Sequence, residues 1–153
     1  MADTYTQIHI HLVFAVKFRQ SLIHPDLQDE LFKYITGIVQ RNKHKMLSIN
    51  CMPDHMHILI GIRPSQSLSD LMQDIKGDSS KWINSRKFLK QRFAWQESYG
   101  AFSYSKSLIS RVARYIENQQ EHHKKQDFIS EYKKTLEKFG VSYNEKDIFK
   151  PPV

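Results

Sequence analysis

The chain has 153 residues, of which 40% are hydrophobic and 25% are charged, so its size and composition suit one folded domain with an ordinary core. Lys and Arg number 23 against 16 Asp and Glu, and a net charge of +7 favours a polyanionic partner such as nucleic acid. The single cysteine excludes a disulfide framework and a cysteine-rich zinc site. No apolar stretch approaches the ~20 residues of a membrane span, and the first four residues lack the features of a secretion signal, so we expect a cytoplasmic protein.

The first half of the chain predicts three strands and one helix. Alternating side chains predict a strand over 6–17 that has one strongly apolar face. A proline near the first helical position and an apolar stripe predict a helix from His24 to about Asn42. Two short strands follow over 45–51 and 55–62, and the tight turn between them makes them antiparallel.

The second half completes the pattern. Ser67 and Asp70 predict the start of a helix that runs past Trp82, and an aromatic segment predicts a fourth strand over 93–103. Two more helices are predicted, over 106–123 with Ser105 as its cap and over 127–139. The βαββαβ order indicates an α+β fold of the ferredoxin-like or RRM-like type, with an antiparallel sheet that has helices on one face.

The basic surplus lies in one part of the chain. Residues 81–114 hold eight basic residues, one acidic residue and seven aromatic residues, and the remainder of the chain balances in charge. Cations interleaved with aromatic rings suit phosphates and stacked bases. A solvated helix face over core aromatics explains the same composition, so charge alone does not decide between them.

Two histidines on the third predicted strand form a candidate metal site. The side chains of His55 and His57 lie on one face of the strand. The residues that alternate with them, from Met56 onward, form an apolar set on the other face. The apolar set must face the helices, so the two imidazoles lie on the open face, where they can bind one metal ion. His9 and His11 have the same spacing, which makes the spacing a weak signal; for these two we expect half-buried, hydrogen-bonded histidines, with a place beside the site as the alternative.

Tyr115 and Gln119 lie four residues apart, and therefore on one face, in the helix predicted over 106–123. Packing of Tyr115 beside Val112 and Ile116 is the plain alternative to a functional role. A helix that follows the fourth strand can pack on the open sheet face. The phenol and the amide would then meet the histidines.

Other polar residues support weaker interpretations. We expect Cys51 to be a small buried strand residue, and a zinc ligand or a thiol nucleophile are the alternatives. Six cations are candidates for contacts with backbone phosphates, although each is equally explained as an exposed charge: Lys17, Arg19, Lys76, Lys81, Arg111 and Arg114.

Two motifs, Met52-Pro53-Asp54-His55-Met56-His57 and Tyr115-Ile116-Glu117-Asn118-Gln119, resemble the single-tyrosine HUH transposases of the insertion-sequence type, which are related to the REP-associated tyrosine transposases. The resemblance covers about residues 5–125 and ends at the pair His122-His123. We interpret residues 1–153 as one HUH transposase domain with a core over 5–125 and a C-terminal helix and tail over 126–153.

The resemblance implies a site-specific single-stranded DNA endonuclease and strand transferase, with the tyrosine-bearing helix over the second sheet face. Tyr115 would attack a scissile phosphate and form a 5′-phosphotyrosine. His55, His57 and Gln119 would hold one divalent metal ion, and the absence of a thiolate favours Mg²⁺ or Mn²⁺. The implied partners are single-stranded DNA with hairpin ends and a second copy of the chain, with the tyrosine helices either kept or exchanged between subunits.

Two other functions remain open at this point. A non-catalytic RRM-like protein that binds single-stranded nucleic acid explains the charge and the fold. A domesticated HUH nuclease would keep the same site residues without mobilising any DNA element.

Overall fold

The computed structural model describes residues 4–144. Of the segments with sequence predictions, the first three of the four residues considered for a secretion signal and the tail beyond residue 144 lie outside this range. Four strands form one antiparallel sheet in the order β2-β3-β1-β4, with the bounds β1 His9–Ala15, β2 Lys45–Met52, β3 His55–Gly61 and β4 Gly100–Tyr104. The predicted α+β class and βαββαβ order are confirmed. Among the described residues, no helix is long and apolar enough to span a membrane.

One face of the sheet is covered by two long helices, α1 (Pro25–Arg41) and α2 (Leu68–Arg86). Pro25 stands at the first position of α1, and the Ser67 side chain caps α2 by accepting a hydrogen bond from the Asp70 amide at 3.1 Å. Alternate residues of β1, such as Leu12 and Phe14, point into this layer and are fully buried. The main hydrophobic core therefore lies between this sheet face and the two helices.

The other face of the sheet is covered by three shorter helices, α3 (Ile109–Glu117), α4 (Gln119–His122) and α5 (Phe128–Lys138). Val112 and Ile116 of α3 pack against Leu59. The apolar side of α5 packs against Val13, Ala15 and Phe102. The tyrosine-bearing helix thus covers this face as predicted, and it shares the face with α5.

The fourth strand is shorter than predicted, because regular pairing begins only at Gly100 and not at Phe93. Phe93 and Trp95 are nevertheless buried, and their rings meet edge to face with centroids 4.8 Å apart. Asn84 of α2 bonds both the amide and the carbonyl of Phe93, at 2.7 and 3.0 Å. These aromatic residues therefore mark a loop that is anchored in the core, and Trp95 joins the sheet only through a single bridge to Val16.

The helix predicted over 106–123 is divided. It begins as a short 3₁₀ turn, Lys106–Leu108, without a side-chain cap from Ser105, and the helix breaks at Asn118 between α3 and α4. Asn50 of β2 explains the break, because its side-chain amide donates hydrogen bonds to the carbonyls of Ile116 and Glu117 at 2.8 and 3.1 Å. Asn50 and Gln120 also exchange hydrogen bonds through their amides, both at 3.0 Å.

Candidate active site

The histidines of β3 lie on the sheet face that α3, α4 and α5 cover, as the alternation predicts. His55 and His57 are fully buried, and their ring centroids are 5.1 Å apart. In the antiparallel register His57 pairs with Val13 and His55 pairs with Ala15. The two imidazoles therefore extend from the middle of a paired sheet, where their positions are fixed by the ladder.

The outer nitrogens of both rings have partners. His55 Nδ1 lies 2.7 Å from Asp54 Oδ1, and His57 Nδ1 lies 2.8 Å from His11 Nε2. Burial lowers the pKa of His55 to about 4, although the hydrogen bond to Asp54 opposes this effect. A neutral imidazole whose Nδ1–H is held by a carboxylate presents the lone pair of Nε2, which is the form that binds metal ions.

The break at Asn118 directs two side chains at the histidines. Gln119 is fully buried at the start of α4, and its Oε1 atom lies 3.4 Å from His55 Nε2 and 3.0 Å from His123 Nε2. His123 follows one turn later, and its ring centroid is 4.7 Å from that of His55.

A carboxylate from α5 occupies the centre of the cluster. Glu131 is only 5% exposed, and its Oε1 atom lies 3.2 Å from His57 Nε2 and 3.3 Å from His123 Nε2. Burial would raise the pKa of this carboxyl, but the hydrogen bonds with His123, His57 and Tyr115 and the charge of His57 bring the pKa well below its usual range. Glu131 is therefore ionised in this setting. His55, His57, His123 and Glu131 each offer one ligand atom, and these atoms lie within 4.8 Å of one another.

Tyr115 reaches the same cluster from α3. Its hydroxyl donates a hydrogen bond to Glu131 Oε2, which also accepts one from Gln119 Nε2 at 3.1 Å. Burial and the neighbouring Glu131 charge raise the pKa of Tyr115 well above its usual range. The phenol is therefore held protonated and aimed at the carboxylate.

A cavity of about 320 Å³ opens beside Tyr115, between α3 and α5. Three cations line it: Arg111 from α3, and Lys134 and Lys138 from α5. Glu131 lines it as well, so the cavity carries a surplus of positive charge beside Tyr115.

The six cations predicted to bind phosphates do not share one surface. Arg111 and Arg114 are exposed on α3, next to the tyrosine, and Lys17 and Arg19 lie in a short turn after β1. Lys76 and Lys81 lie on α2, behind the sheet. Lys76 Nζ donates a hydrogen bond to the Ser98 carbonyl at 3.2 Å, and burial lowers its pKa to about 8.

Two residues of the cluster were not predicted from the sequence. His123 lies four residues after Gln119, so the helical spacing that joined Tyr115 to Gln119 was an available signal. Glu131 carried a weaker signal, an acidic residue beside the apolar stripe of Phe128, Tyr132 and Leu136. Only the packing of α5 on the sheet shows that this acid points inward.

Three further sequence interpretations have structural outcomes. Cys51 is fully buried in β2, as expected, and burial raises its pKa to about 12, so it does not fit a thiol nucleophile. His11 is buried next to His57, and its Nδ1 atom has no hydrogen-bond partner within residues 4–144. His11 therefore flanks the site, whereas His9 is only partly buried.

The chain is similar in sequence to known proteins. Residues 4–119 match the sequence model of the family described as "Transposase IS200 like". The chain is 28% identical over 122 residues to the ISDra2 transposase TnpA of Deinococcus radiodurans, covering 74% of this chain and 84% of that protein. It is 26% identical over 135 residues to the transposase for insertion sequence element IS200 of Salmonella typhimurium, covering 85% of this chain and 88% of that protein.

Solved structures agree with these matches. A crystal structure of a transposase candidate from Deinococcus radiodurans R1 aligns with a TM-score of 0.63 at 26% identity, over 78% of this chain and 95% of that one. A REP-associated tyrosine transposase bound to a REP hairpin shares the fold, with a TM-score of 0.60 at 15% identity over 80% of this chain and 73% of that one. The family match spans most of the chain, including Tyr115 and both histidines of β3, and this chain therefore belongs to the IS200-like transposase family, whose members are enzymes of the DNA-cleaving and joining kind.

Proposed function

We propose that this transposase cleaves and rejoins single-stranded DNA through a covalent bond between Tyr115 and a 5′-phosphate. The observation that carries the proposal is the meeting, in one buried cluster, of the Tyr115 hydroxyl, the Gln119 amide and two β3 imidazoles. Histidines and a tyrosine that served only to pack the core would not need to meet in one polar cluster.

In the cleavage step, the Tyr115 oxygen forms a bond to the scissile phosphorus and the bond from phosphorus to the 3′-oxygen breaks. The phenol loses its proton, and the leaving 3′-oxygen gains one and becomes a hydroxyl. Glu131 Oε2 already accepts the hydrogen bond of that hydroxyl, so its position makes it the first acceptor of the phenol proton, although the lowered pKa of Glu131 and the raised pKa of Tyr115 oppose the transfer. The phosphotyrosine retains most of the energy of the diester, so reversal of the step joins strands without ATP.

We propose His55, His57 and Gln119 as residues that hold a divalent metal ion, Mg²⁺ or Mn²⁺. The structure fits this role, since Asp54 and His11 hold the outer nitrogens of the two rings and leave both Nε2 atoms facing the cluster. A divalent ion bound there would neutralise charge that develops on the phosphate oxygens.

The DNA would reach Tyr115 through the cationic cavity between α3 and α5. Arg111 is the one sequence-predicted phosphate contact that lines this cavity. We propose hairpin-ended single-stranded DNA as the substrate, a homodimer as the assembly and the bacterial cytoplasm as the compartment. The related REP-associated transposase bound to a REP hairpin supports a structured DNA partner.

The test is incubation of the protein with Mn²⁺ and hairpin oligonucleotides copied from the DNA that flanks its gene, followed by a denaturing gel. We expect a covalent protein–DNA band that Tyr115→Phe abolishes while DNA affinity is retained. Tyr104→Phe is the matched control. Tyr104 lines the same cavity, and removal of its hydroxyl should leave the covalent protein–DNA band unchanged.

The alternatives predict different gels. Binding without any covalent band would favour the non-catalytic RRM-like protein. A band that persists in Tyr115→Phe would point to another nucleophile, with Tyr99 and Tyr104 the next to replace. A domesticated nuclease would give the same covalent band. Only the presence of palindromic ends around the gene would distinguish an active mobile element from such a nuclease.

A further inference from the structure

Glu131 is the one acidic residue of the buried cluster, and it lies outside residues 4–119, the part of the chain that matches the family. Its Oε1 atom faces three imidazole nitrogens, at 3.2 Å from His57, 3.3 Å from His123 and 3.9 Å from His55. Because α5 packs on the sheet through Phe128, Tyr132 and Leu136, this position is fixed by the core of the protein.

Two of these separations, 3.2 Å to His57 and 3.3 Å to His123, are those of adjacent donor atoms around a single ion, and the third, 3.9 Å to His55, is slightly longer. Ligands at about 2.1–2.3 Å from a metal ion lie roughly 3.0–3.8 Å apart when adjacent and roughly 4.2–4.6 Å apart when opposite. The four ligand atoms of His55, His57, His123 and Glu131 all lie within 4.8 Å of one another. Small side-chain adjustments would be enough to bring them to one centre.

Charge gives a second, separate reason. Metal-binding imidazoles and the Gln119 amide are neutral, so they cannot balance a divalent ion in a buried site. Asp54 is placed behind His55, on the nitrogen that faces away from the cluster. Glu131 is the carboxylate inside the cluster, and it is 5% exposed.

We propose that Glu131 is a protein ligand of the divalent ion, through Oε1, and that the metal site of this transposase extends into α5. His123 offers its Nε2 atom to the same set. The other carboxylate oxygen, Oε2, holds the Tyr115 hydroxyl and the Gln119 amide, so one side chain links the ion to the nucleophile. This inference rests on the proposed function only in requiring that a divalent ion binds at these histidines.

The test is a titration of the full-length protein with Mn²⁺ in the absence of DNA, followed by calorimetry and by loss of the free-ion electron paramagnetic resonance signal. We expect Glu131→Gln, which keeps the shape and removes the charge, to weaken Mn²⁺ binding at least about tenfold. Glu137→Gln is the matched control, because it makes the same change at an exposed position of the same helix. Unchanged Mn²⁺ affinity in a folded Glu131→Gln protein would overturn the inference.

A measurement on the unmodified protein covers the case in which Glu131→Gln fails to fold. If Glu131 binds the ion, Mn²⁺ ties α5 to β3, and amide hydrogen exchange over residues 128–138 should slow when Mn²⁺ is added. Saturating Mn²⁺ binding with unchanged exchange in α5 would refute the role. A protein that binds Mn²⁺ through Glu131 but forms no DNA adduct would contradict the proposed function alone.

Discussion

At the scale of single residues, the environment of His55 combines three constraints. Its ring stacks on Phe128 with centroids 3.9 Å apart, Asp54 holds Nδ1, and Nε2 faces Gln119 and Glu131. Burial would raise the pKa of Asp54, but the hydrogen bond with His55 brings it below its ordinary value. Asp54 is thus an ionised partner that sets which nitrogen of His55 carries the proton.

Replacing Asp54 should weaken the metal site without touching a ligand. In Asp54→Asn the His55 ring loses its anionic partner, and we expect Mn²⁺ affinity to fall about 10–100-fold with little change in melting temperature. Calorimetric titration measures the affinity. Asp78→Asn, an equivalent change on α2 behind the sheet, should bind Mn²⁺ normally, and equal affinities in the two variants would contradict the role of Asp54.

The buried thiol of Cys51 predicts that the free energy of unfolding depends on pH. Burial raises the pKa of its thiol from 9.0 to about 12, so the unfolded chain releases this proton at a lower pH than the folded chain. The contribution of the buried, protonated thiol to the free energy of unfolding is complete below pH 9.0. It is lost as the pH rises toward about 12, because the unfolded state then binds fewer protons than the folded state.

We expect the free energy of unfolding to decline more steeply between pH 9 and 11 in the unmodified protein than in Cys51→Ala, by about 1.4 kcal/mol for each pH unit within that window. Urea denaturation at a series of pH values measures the difference. Parallel curves for the two proteins would show that the folded thiol titrates normally.

At the scale of secondary-structure elements, the site depends on how closely α5 packs against β4. Gly100, the first residue of β4, leaves room for the Tyr132 ring, since a Cβ atom at Gly100 would lie 2.5 Å from the Tyr132 hydroxyl oxygen and 2.8 Å from its Cε1 atom. The same helix carries Glu131 one residue earlier. The absence of a side chain at Gly100, on the edge strand, thus lets α5 approach the sheet closely at the turn that carries Glu131.

Gly100→Ala should therefore destabilise the protein by about 1–3 kcal/mol through overpacking. Gly37→Ala is the contrasting variant, because its Cβ would meet nothing within 4 Å in α1, and alanine should stabilise that helix by about 0.5–1 kcal/mol. Urea denaturation compares the two. A Gly100→Ala protein as stable as the unmodified chain would mean that α5 shifts at no cost.

At the scale of the whole molecule, one chain supplies every member of the cluster. Tyr115 of α3 and Glu131 of α5 meet the β3 histidines of the same chain, and β1, β3 and β4 provide a continuous platform beneath them. Within the described residues, the arrangement is assembled in one chain, and we propose that each subunit of a homodimer holds its own site.

This arrangement predicts the outcome of mixing two inactive proteins. Tyr115→Phe would lack the proposed nucleophile and His57→Ala would lack a proposed metal ligand, so a mixture should form no more covalent DNA adduct than either protein alone. The denaturing gel with Mn²⁺ and hairpin DNA reads the result after the two proteins have been refolded together. Restored adduct would show instead that the tyrosine helices are exchanged between subunits.

The sequence by itself determined the type and order of most elements and their inward faces. The apolar stripe of α1, the alternation of β1 and the spacing of His55 and His57 follow from periods of 3.6 and 2 residues, which depend on local backbone geometry alone. The spacing of Tyr115 and Gln119 is equally local. The transposase resemblance rested on the same residues, and the family match confirms it.

The tertiary structure decided what local patterns do not contain. The break at Asn118 comes from Asn50, more than 60 residues away in the chain, and Phe93 and Trp95 are buried without forming a regular strand. Glu131 entered the site only because α5 folds back over the sheet. Such contacts depend on packing between distant segments, where burial and long-range hydrogen bonds override local propensity.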